Sequence, residues 1–180
     1  MSAGVVSVNV GRARQITWNG KAVRTGIYKE AVAGRVKVTK PGIDGDEQAD
    51  LTVHGGETKA LYAYPSEHYL YWQHELERDM AWGMFGENLT TLGLLENSVY
   101  IGDIYRVGSA ELVVTQPRFP CYKLGIKFGI MEMVQRFVNS ERSGFYLAVE
   151  SDGEIGAGDR ISLVNRGGGP TIADMFRSES

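Results

Sequence analysis

Residues 4–10 set Val6, Val8 and Val10 against Val5, Ser7 and Asn9, the period of two that predicts a strand. Further strands are predicted at 15–18 and 22–28, joined by Asn19-Gly20, a dipeptide that favours a tight hairpin turn. Residues 35–39 alternate charged and apolar, as a half-exposed strand does. Residues 41–50 hold two glycines and four acids and read as a loop. A short apolar strand is expected at 59–64. Pro65 then opens a helical stretch to Met80, since proline's missing N–H would be unpaired in a first turn anyway. Tyr69, Trp72, Leu76 and Met80 give that helix its apolar stripe. Strand character returns at 99–107 and 111–115 around Gly108. Ile130, Val134, Phe137 and Val138 mark a second helix, and 145–149 and 160–164 the last strands. Ile101-Gly102-Asp103 and Ala157-Gly158-Asp159 echo one another, each a Gly-Asp turn before an alternating strand. Shared turn chemistry explains them without a repeat. Strands dominate and no regular β-α-β alternation appears. The expected fold class is therefore mainly β with peripheral helices, a β-barrel with two or three helices packed outside.

Composition narrows the picture. The 180 residues suit one domain, and 23 of them are glycine, well above the typical ~7%. Nineteen Lys and Arg against 22 Asp and Glu leave a net charge of −3, which argues against a global electrostatic grip on nucleic acid. No stretch approaches the roughly 18 apolar residues that span a bilayer. The first residues lack the basic start of a secretory signal. A cytoplasmic protein, without direct nucleic-acid or membrane binding, is expected. The single cysteine, Cys121, excludes an internal disulfide and multi-cysteine zinc or iron–sulfur sites. Gly167-Gly168-Gly169-Pro170 reads as a linker. Thr171 after it can cap a short amphipathic turn carrying Ile172, Met175 and Phe176, too short to stand alone.

No phosphate-binding loop, dinucleotide fingerprint, zinc-protease helix or nucleophile elbow occurs. His68 and His74 fall on the solvent side of the predicted helix and read as surface residues. Three clusters carry candidate chemistry. In the first, 50–59, His54 is followed by Gly55 and Gly56. Backbone N–H groups there can form an anion nest beside a titratable ring, with Lys59 adding charge, or the segment is a tight turn. In the second, 85–91, Asn88 is a ligand-binding amide or a turn cap. In the third, Gln116-Pro117-Arg118-Phe119-Pro120-Cys121-Tyr122-Lys123-Leu124, two prolines bracket Arg118. Arg118, Lys123 and the start of a following helix would favour the thiolate of Cys121, the form that attacks electrophiles or binds soft metals. The alternative is an inert, buried thiol.

The ordered set resembles the MOSC family (molybdenum cofactor sulfurase C-terminal domain), most closely its YiiM-like branch. It comprises Ala49-Asp50-Leu51-Thr52-Val53-His54-Gly55-Gly56, Tyr64-Pro65-Ser66-Glu67-His68-Tyr69, Phe85-Gly86-Glu87-Asn88-Leu89, Tyr100-Ile101-Gly102-Asp103, 116–124 and Gly144-Phe145-Tyr146. The resemblance implies a closed, MOSC-type β-barrel over residues 1–166. Residues 167–180 would be a linker and the first part of an accessory helical region. It also implies a molybdenum cofactor, molybdopterin-bound molybdenum, with Cys121 as the metal's protein ligand. The implied reaction is reduction of N-hydroxylated compounds, including hydroxylamino base analogues, a detoxification. Electrons would come from a separate electron-transfer protein, and the chain would act as a monomer or homodimer. Within that frame Gly55, Gly56, Lys59, Asn88, Arg118 and Lys123 are candidate cofactor-binding residues. His54 is the candidate proton donor as the N–O bond breaks. Two other functions compete: a cofactor or sulfur carrier with a persulfide on Cys121, and a binding module without chemistry.

Overall fold

The computed structural model describes residues 2–52 and 55–180. Its elements run β1 (Gly4–Val10), β2 (Arg14–Trp18), β3 (Lys21–Thr25), β4 (Glu30–Ala31), β5 (Arg35–Thr39), β6 (Gly42–Ile43) and β7 (Leu61–Pro65). Then come helix α1 (Glu67–Leu76), β8 (Leu89–Leu92), β9 (Ile104–Val107) and β10 (Ala110–Pro117). Helices α2 (Tyr122–Phe128) and α3 (Met133–Ser140), β11 (Phe145–Ser151), β12 (Gly153–Gly156), β13 (Ile161–Asn165) and helix α4 (Ile172–Glu179) complete the chain. The result is a mixed α/β fold.

The closed barrel expected from the sequence does not form. The largest sheet has eight strands in the order β13-β9-β10-β11-β7-β8-β1-β4, and β13 and β4 are its two open ends. The bridge Gly4 to Arg160 and backbone hydrogen bonds of Ala3 and Val5 to residues 158–161 bring the start of β1 to the start of β13. This contact goes no further, because the far end of β1 is already paired to β4 through Asn9 and Val10. Beyond Ile161, β13 is exposed, and its pairing with β9 is irregular between Leu163 and Asn165. A separate three-stranded sheet, β12-β5-β6, packs against the large one. The β2-β3 hairpin forms a third sheet by itself.

Strand β7 explains why the molecule has two cores. All five of its residues are buried. Successive strand side chains point to opposite faces. Leu61 and Ala63 join Val8, Val38, Leu112, Phe145 and Ile155 between the sheets. Tyr62 and Tyr64 face the other way, into an aromatic cluster with Tyr69, Trp72, Phe85, Phe128 and Phe137 beneath the helices. Trp72 lies nearly parallel to Phe137, with centroids 6.4 Å apart, and its Nε1 donates to Tyr64 Oη at 2.8 Å.

Several sequence boundaries shift for local reasons. Pro65 ends β7, and α1 begins at Glu67. The helix stops at Leu76 because Glu77 adopts a left-handed conformation, so Met80 reaches the aromatic cluster from a loop. The 99–107 strand shrinks to Ile104–Val107, because 100–103 is a turn. There Asp103 Oδ2 accepts from Tyr100 N at 3.0 Å, just as Asp159 Oδ2 accepts from Gly156 N at 2.9 Å. The two Gly-Asp echoes are thus one turn used twice, and the strands that follow them, β9 and β13, pair with each other. His68 is not a surface residue. Its Nε2 lies 2.8 Å from Glu96 on the buried side of α1, whereas His74 is exposed.

The glycine-rich segment after β13 is packed rather than loose. A Cβ on Gly167 would stand 2.2 Å from the Ile101 carbonyl oxygen, and one on Gly169 would meet Ile101 Cβ at 2.7 Å. Gly167 N donates to the buried Asp103 carboxylate at 2.8 Å. The glycines serve close approach. They deliver Thr171 to cap α4, where its Oγ1 accepts from Asp174 N at 3.1 Å. Ile172 and Phe176 are buried, and Phe176 stacks on Phe119 with centroids 4.8 Å apart. Phe176→Ala is expected to lower folding stability by about 3 kcal/mol. Urea denaturation checks this; a loss below about 1 kcal/mol would mean α4 is docked by its backbone contacts alone.

Candidate functional site

The Gln116–Leu124 motif spans the end of β10, a four-residue link and the start of α2. Pro117 closes the strand. Cys121, in an extended conformation, precedes the first turn of α2, where Leu124 N donates to its carbonyl oxygen at 3.0 Å. The link drives Arg118 inward. Its guanidinium lies 4.7 Å from the Tyr62 ring centre and 5.5 Å from that of Phe137, and its Nη1 donates to the Phe85 carbonyl oxygen at 2.8 Å. Burial works against the charge. The Tyr62 and Tyr146 phenols and the Cys121 sulfur more than offset it, and the net effect holds Arg118 above its ordinary value.

Five of the eight sequence-predicted site residues line one cavity of about 90 Å³: Lys59, Asn88, Arg118, Cys121 and Lys123. Cys121 is half-buried there. Lys59 Nζ sits 5.5 Å from the centre of the Tyr146 ring, which forms part of the wall. Asn88 lines the cavity while bracing it. Its Oδ1 accepts from Tyr62 N at 3.0 Å and its Nδ2 donates to the Asn9 carbonyl oxygen at 3.3 Å, tying β7 to β1. Gly55 and Gly56 stand behind the wall. Gly56 N donates to Gln48 Oε1 at 3.1 Å, and a Cβ on Gly55 would collide with that same oxygen. Gln48 lines the cavity and also donates to the Lys59 carbonyl oxygen at 2.8 Å, so the two glycines let it clamp the loop. His54, the eighth residue, lies outside the described residues.

Other groups at the site escaped the sequence reading. Lys29 lines the cavity, but its buried ammonium is paired with Asp46 at 2.5 Å. It sits at the end of a strand-like run and carried no motif. Tyr62 gave only the signal of an apolar strand. Lys127 carried no motif and was not singled out in the sequence. In the fold its Nζ donates to the Ile27 and Gly83 carbonyl oxygens, at 2.9 and 2.7 Å. It bridges the Ile27 wall to the 83–87 loop. That loop is held from inside by Glu87, a fully buried carboxylate that accepts from Tyr69 Oη, Gly83 N, Phe85 N and Thr90 Oγ1. Glu87 was given no role in the sequence reading; its bonds make it the anchor of the loop.

The cavity therefore offers one soft sulfur donor beside three cations, Arg118, Lys59 and Lys123. Such a set suits an anionic ligand that carries a thiophilic metal. Among the described residues, no group of three or more His, Cys, Asp or Glu is placed to hold a metal ion. A metal bound at Cys121 would bring most of its ligands with it. Also among the described residues, no helix is long and apolar enough to cross a membrane.

Burial pulls Lys127 down to about 7. The Glu87 carboxylate opposes this, and the charges of Arg118, Lys29 and Arg14 reinforce it. An unfolded lysine titrates near 10.4. Between those values the unfolded chain holds a proton that the folded chain lacks, so stability rises with pH across that window. Below about 7 both states are charged and the penalty is complete. Relative to Lys127→Met, the parent chain is expected to gain up to about 4 kcal/mol between pH 7 and pH 10. Urea titrations at the two pH values check this; a gap that does not change with pH would contradict it.

The model of the MOSC domain family matches residues 50–162. The protein YiiM of Escherichia coli is 42% identical over 151 residues, which are 82% of this chain and 67% of that protein. A Gibberella moniliformis protein named "Reductase" is 36% identical over 166 residues, 90% of this chain but 29% of its own length. Among solved structures, YiiM from Geobacillus stearothermophilus superposes with a TM-score of 0.82 at 39% identity, covering 98% of this chain and 83% of that one.

Proposed function

The chain belongs to the MOSC domain family, and from that premise we propose that it is a molybdenum-cofactor-dependent reductase of N-hydroxylated compounds. The observation that carries this reading is the meeting of Cys121 with Arg118, Lys59 and Lys123 in one cavity. The family supports a molybdenum-cofactor-related role, and the relative named as a reductase supports reductive chemistry.

Cys121 Sγ is the proposed protein ligand to the metal. Arg118 is held in place by Phe85 and the Tyr62 ring, and its charge offsets the negative charge of an anionic cofactor without a rearrangement on binding. Lys59 and Lys123 are proposed to reach further anionic groups such as a phosphate. Tyr62 and Tyr146, both held protonated by burial, wall the cavity without adding charge. When bound, the cofactor supplies two electrons, taken from a separate electron-transfer protein. The substrate R–NHOH takes up those electrons and two protons, its N–O bond breaks, and an amine and water leave. His54 is the proposed source of the proton that turns the departing hydroxide into water.

Protein from a host that makes the cofactor is expected to carry about one molybdenum per chain and to reduce hydroxylamine with a reduced dye. Cys121→Ser should lose both while unfolding at the same urea concentration. Metal analysis and dye oxidation check this. A cyanide-labile sulfur on Cys121 without turnover would replace the reading with that of a sulfur carrier.

A further inference from the structure

Positive charge is concentrated at the start of the chain. Residues 1–29 hold five Lys and Arg and no Asp or Glu, whereas residues 30–180 hold 14 against 22 and so carry a net charge of −8. Four of the five cations, Arg12, Arg14, Lys21 and Arg24, belong to the β2-β3 hairpin or the link before it, and all four are exposed. The fifth, Lys29, is cancelled by Asp46. Among the described residues, none of the four enters an ion pair. The Arg14 guanidinium rests 3.6 Å from the centre of the Tyr28 ring instead.

The hairpin has no neighbouring strand, and two strands alone are marginal in water. Its inner face holds it in place. Cross-strand partners share a face. Ile16, Val23 and Trp18 therefore lie together and are half-buried, while Gln15, Thr17, Ala22 and Arg24 lie on the other face and are all exposed. Trp18, next to the turn, leans on Tyr122, the residue after Cys121, with ring centroids 5.3 Å apart. At the other end, Thr25 and the following Gly26 and Ile27 line the cavity. The arm is thus anchored at both ends beside the cavity that holds the thiol. Its cations are spread along it, with Arg12 and Arg14 at the base, Lys21 beside the turn and Arg24 on the outer face.

We propose that this hairpin is the docking face for the electron donor, a small electron-carrier protein with an acidic patch around its redox group. The proposal rests on the reductase reading for what the partner delivers, not for the charge that attracts it. The donor loses two electrons for each N–O bond broken, in the balance given above. Complementary charge selects an acidic surface, and steering by that charge raises the rate of encounter. Electron-transfer encounters bury little area. A polar, cationic face without an apolar groove is therefore sufficient. A nucleic acid fits this face less well. The outer face has no aromatic ring on which bases could stack. The net charge of −8 on the rest of the chain also repels a long polyanion, while a bounded acidic patch meets only the hairpin.

A flavodoxin of net negative charge is the probe. Calorimetric titration of the purified chain with the oxidised flavodoxin at low ionic strength should show binding that fades at physiological ionic strength. Lys21→Glu and Arg24→Glu should each weaken it about fivefold or more, while unfolding at the same urea concentration as the parent chain. Arg160→Glu makes the same change of net charge beside Gly4, at the far end of β1 from the hairpin, and should leave binding within about twofold. In the cofactor-loaded protein, kcat/KM for the flavodoxin hydroquinone as donor should fall about fivefold or more in the hairpin variants. Hydroxylamine reduction with reduced methyl viologen, a dye too small to need the arm, should stay within about twofold. If flavodoxin does not bind, or if Arg160→Glu weakens binding as much as Arg24→Glu, the proposal is wrong. It is equally wrong if the hairpin cations hold an oligothymidylate while flavodoxin binding ignores them, because the partner is then a nucleic acid. If flavodoxin binding follows the hairpin charges while no donor supports reduction, the docking face stands and the reductase reading falls. If hydroxylamine is reduced but the variants leave flavodoxin-driven turnover intact, the reductase reading stands and the docking face falls.

Discussion

A carboxylate buried without any exposure needs hydrogen-bond donors, because a bare charge in the interior costs several kcal/mol. Glu87 meets that demand with two hydroxyls and two backbone N–H groups, drawn from α1, from the 83–85 turn and from β8. The rest of the site depends on this arrangement. With the turn fixed, the Phe85 carbonyl oxygen faces Arg118 and the Gly83 carbonyl oxygen faces Lys127. The next residue, Asn88, braces β7 against β1. One buried charge therefore orients a row of backbone dipoles toward the cations around the cavity.

The double-sided burial of β7 supplies the scaffold for that row. Leu61 and Ala63 hold the strand to the core between the sheets, while Tyr62 and Tyr64 build the aromatic layer on which the helices rest. Tyr62 belongs to both structure and site. Its Oη donates to the Ser143 carbonyl oxygen at 2.7 Å, and its ring supports the Arg118 guanidinium. Among the described residues, the cation is held by aromatic rings and the Phe85 carbonyl oxygen rather than by a carboxylate. Its charge is then available to an anionic ligand instead of being cancelled internally.

Charge is distributed unevenly around the cavity. Lys29 is neutralised by Asp46; Asp46 and Glu47 accept from Gly11 N and Ala13 N and so tie this loop to the segment after β1, while Gln48 ties it to residues 56–60. Arg118, Lys59 and Lys123 gather with Cys121 and Tyr146. The cavity lining therefore combines acids that are consumed in bracing, Asp46 and Glu47, with the cations Arg118, Lys59 and Lys123 and the thiol. A ligand that enters this cavity to reach the sulfur also meets these cations, which favours anionic partners over neutral ones.

Much of this was legible along the chain. Alternation marked β1 and β5, and Asn19-Gly20 marked the hairpin, because these patterns are local. The third cluster marked Arg118, Cys121 and Lys123, since two prolines and a lone cysteine among cations are readable without a fold. Strands β8 and β12 were not legible; each is four residues long and exists through its neighbours, β1 and β7 for one and β5 for the other. The barrel expectation failed because closure depends on the two end strands meeting, and no local pattern carries that information. His68 looked like a surface residue and Lys127 drew no reading, because their partners, Glu96 and the Ile27 carbonyl oxygen, lie 28 and 100 positions away. The sequence by itself determined which residue types could hold an anionic, thiophilic ligand, and in what order they come. Only the tertiary structure decided which of them share a cavity and which are consumed in bracing it, because hydrogen bonds between distant segments make that division.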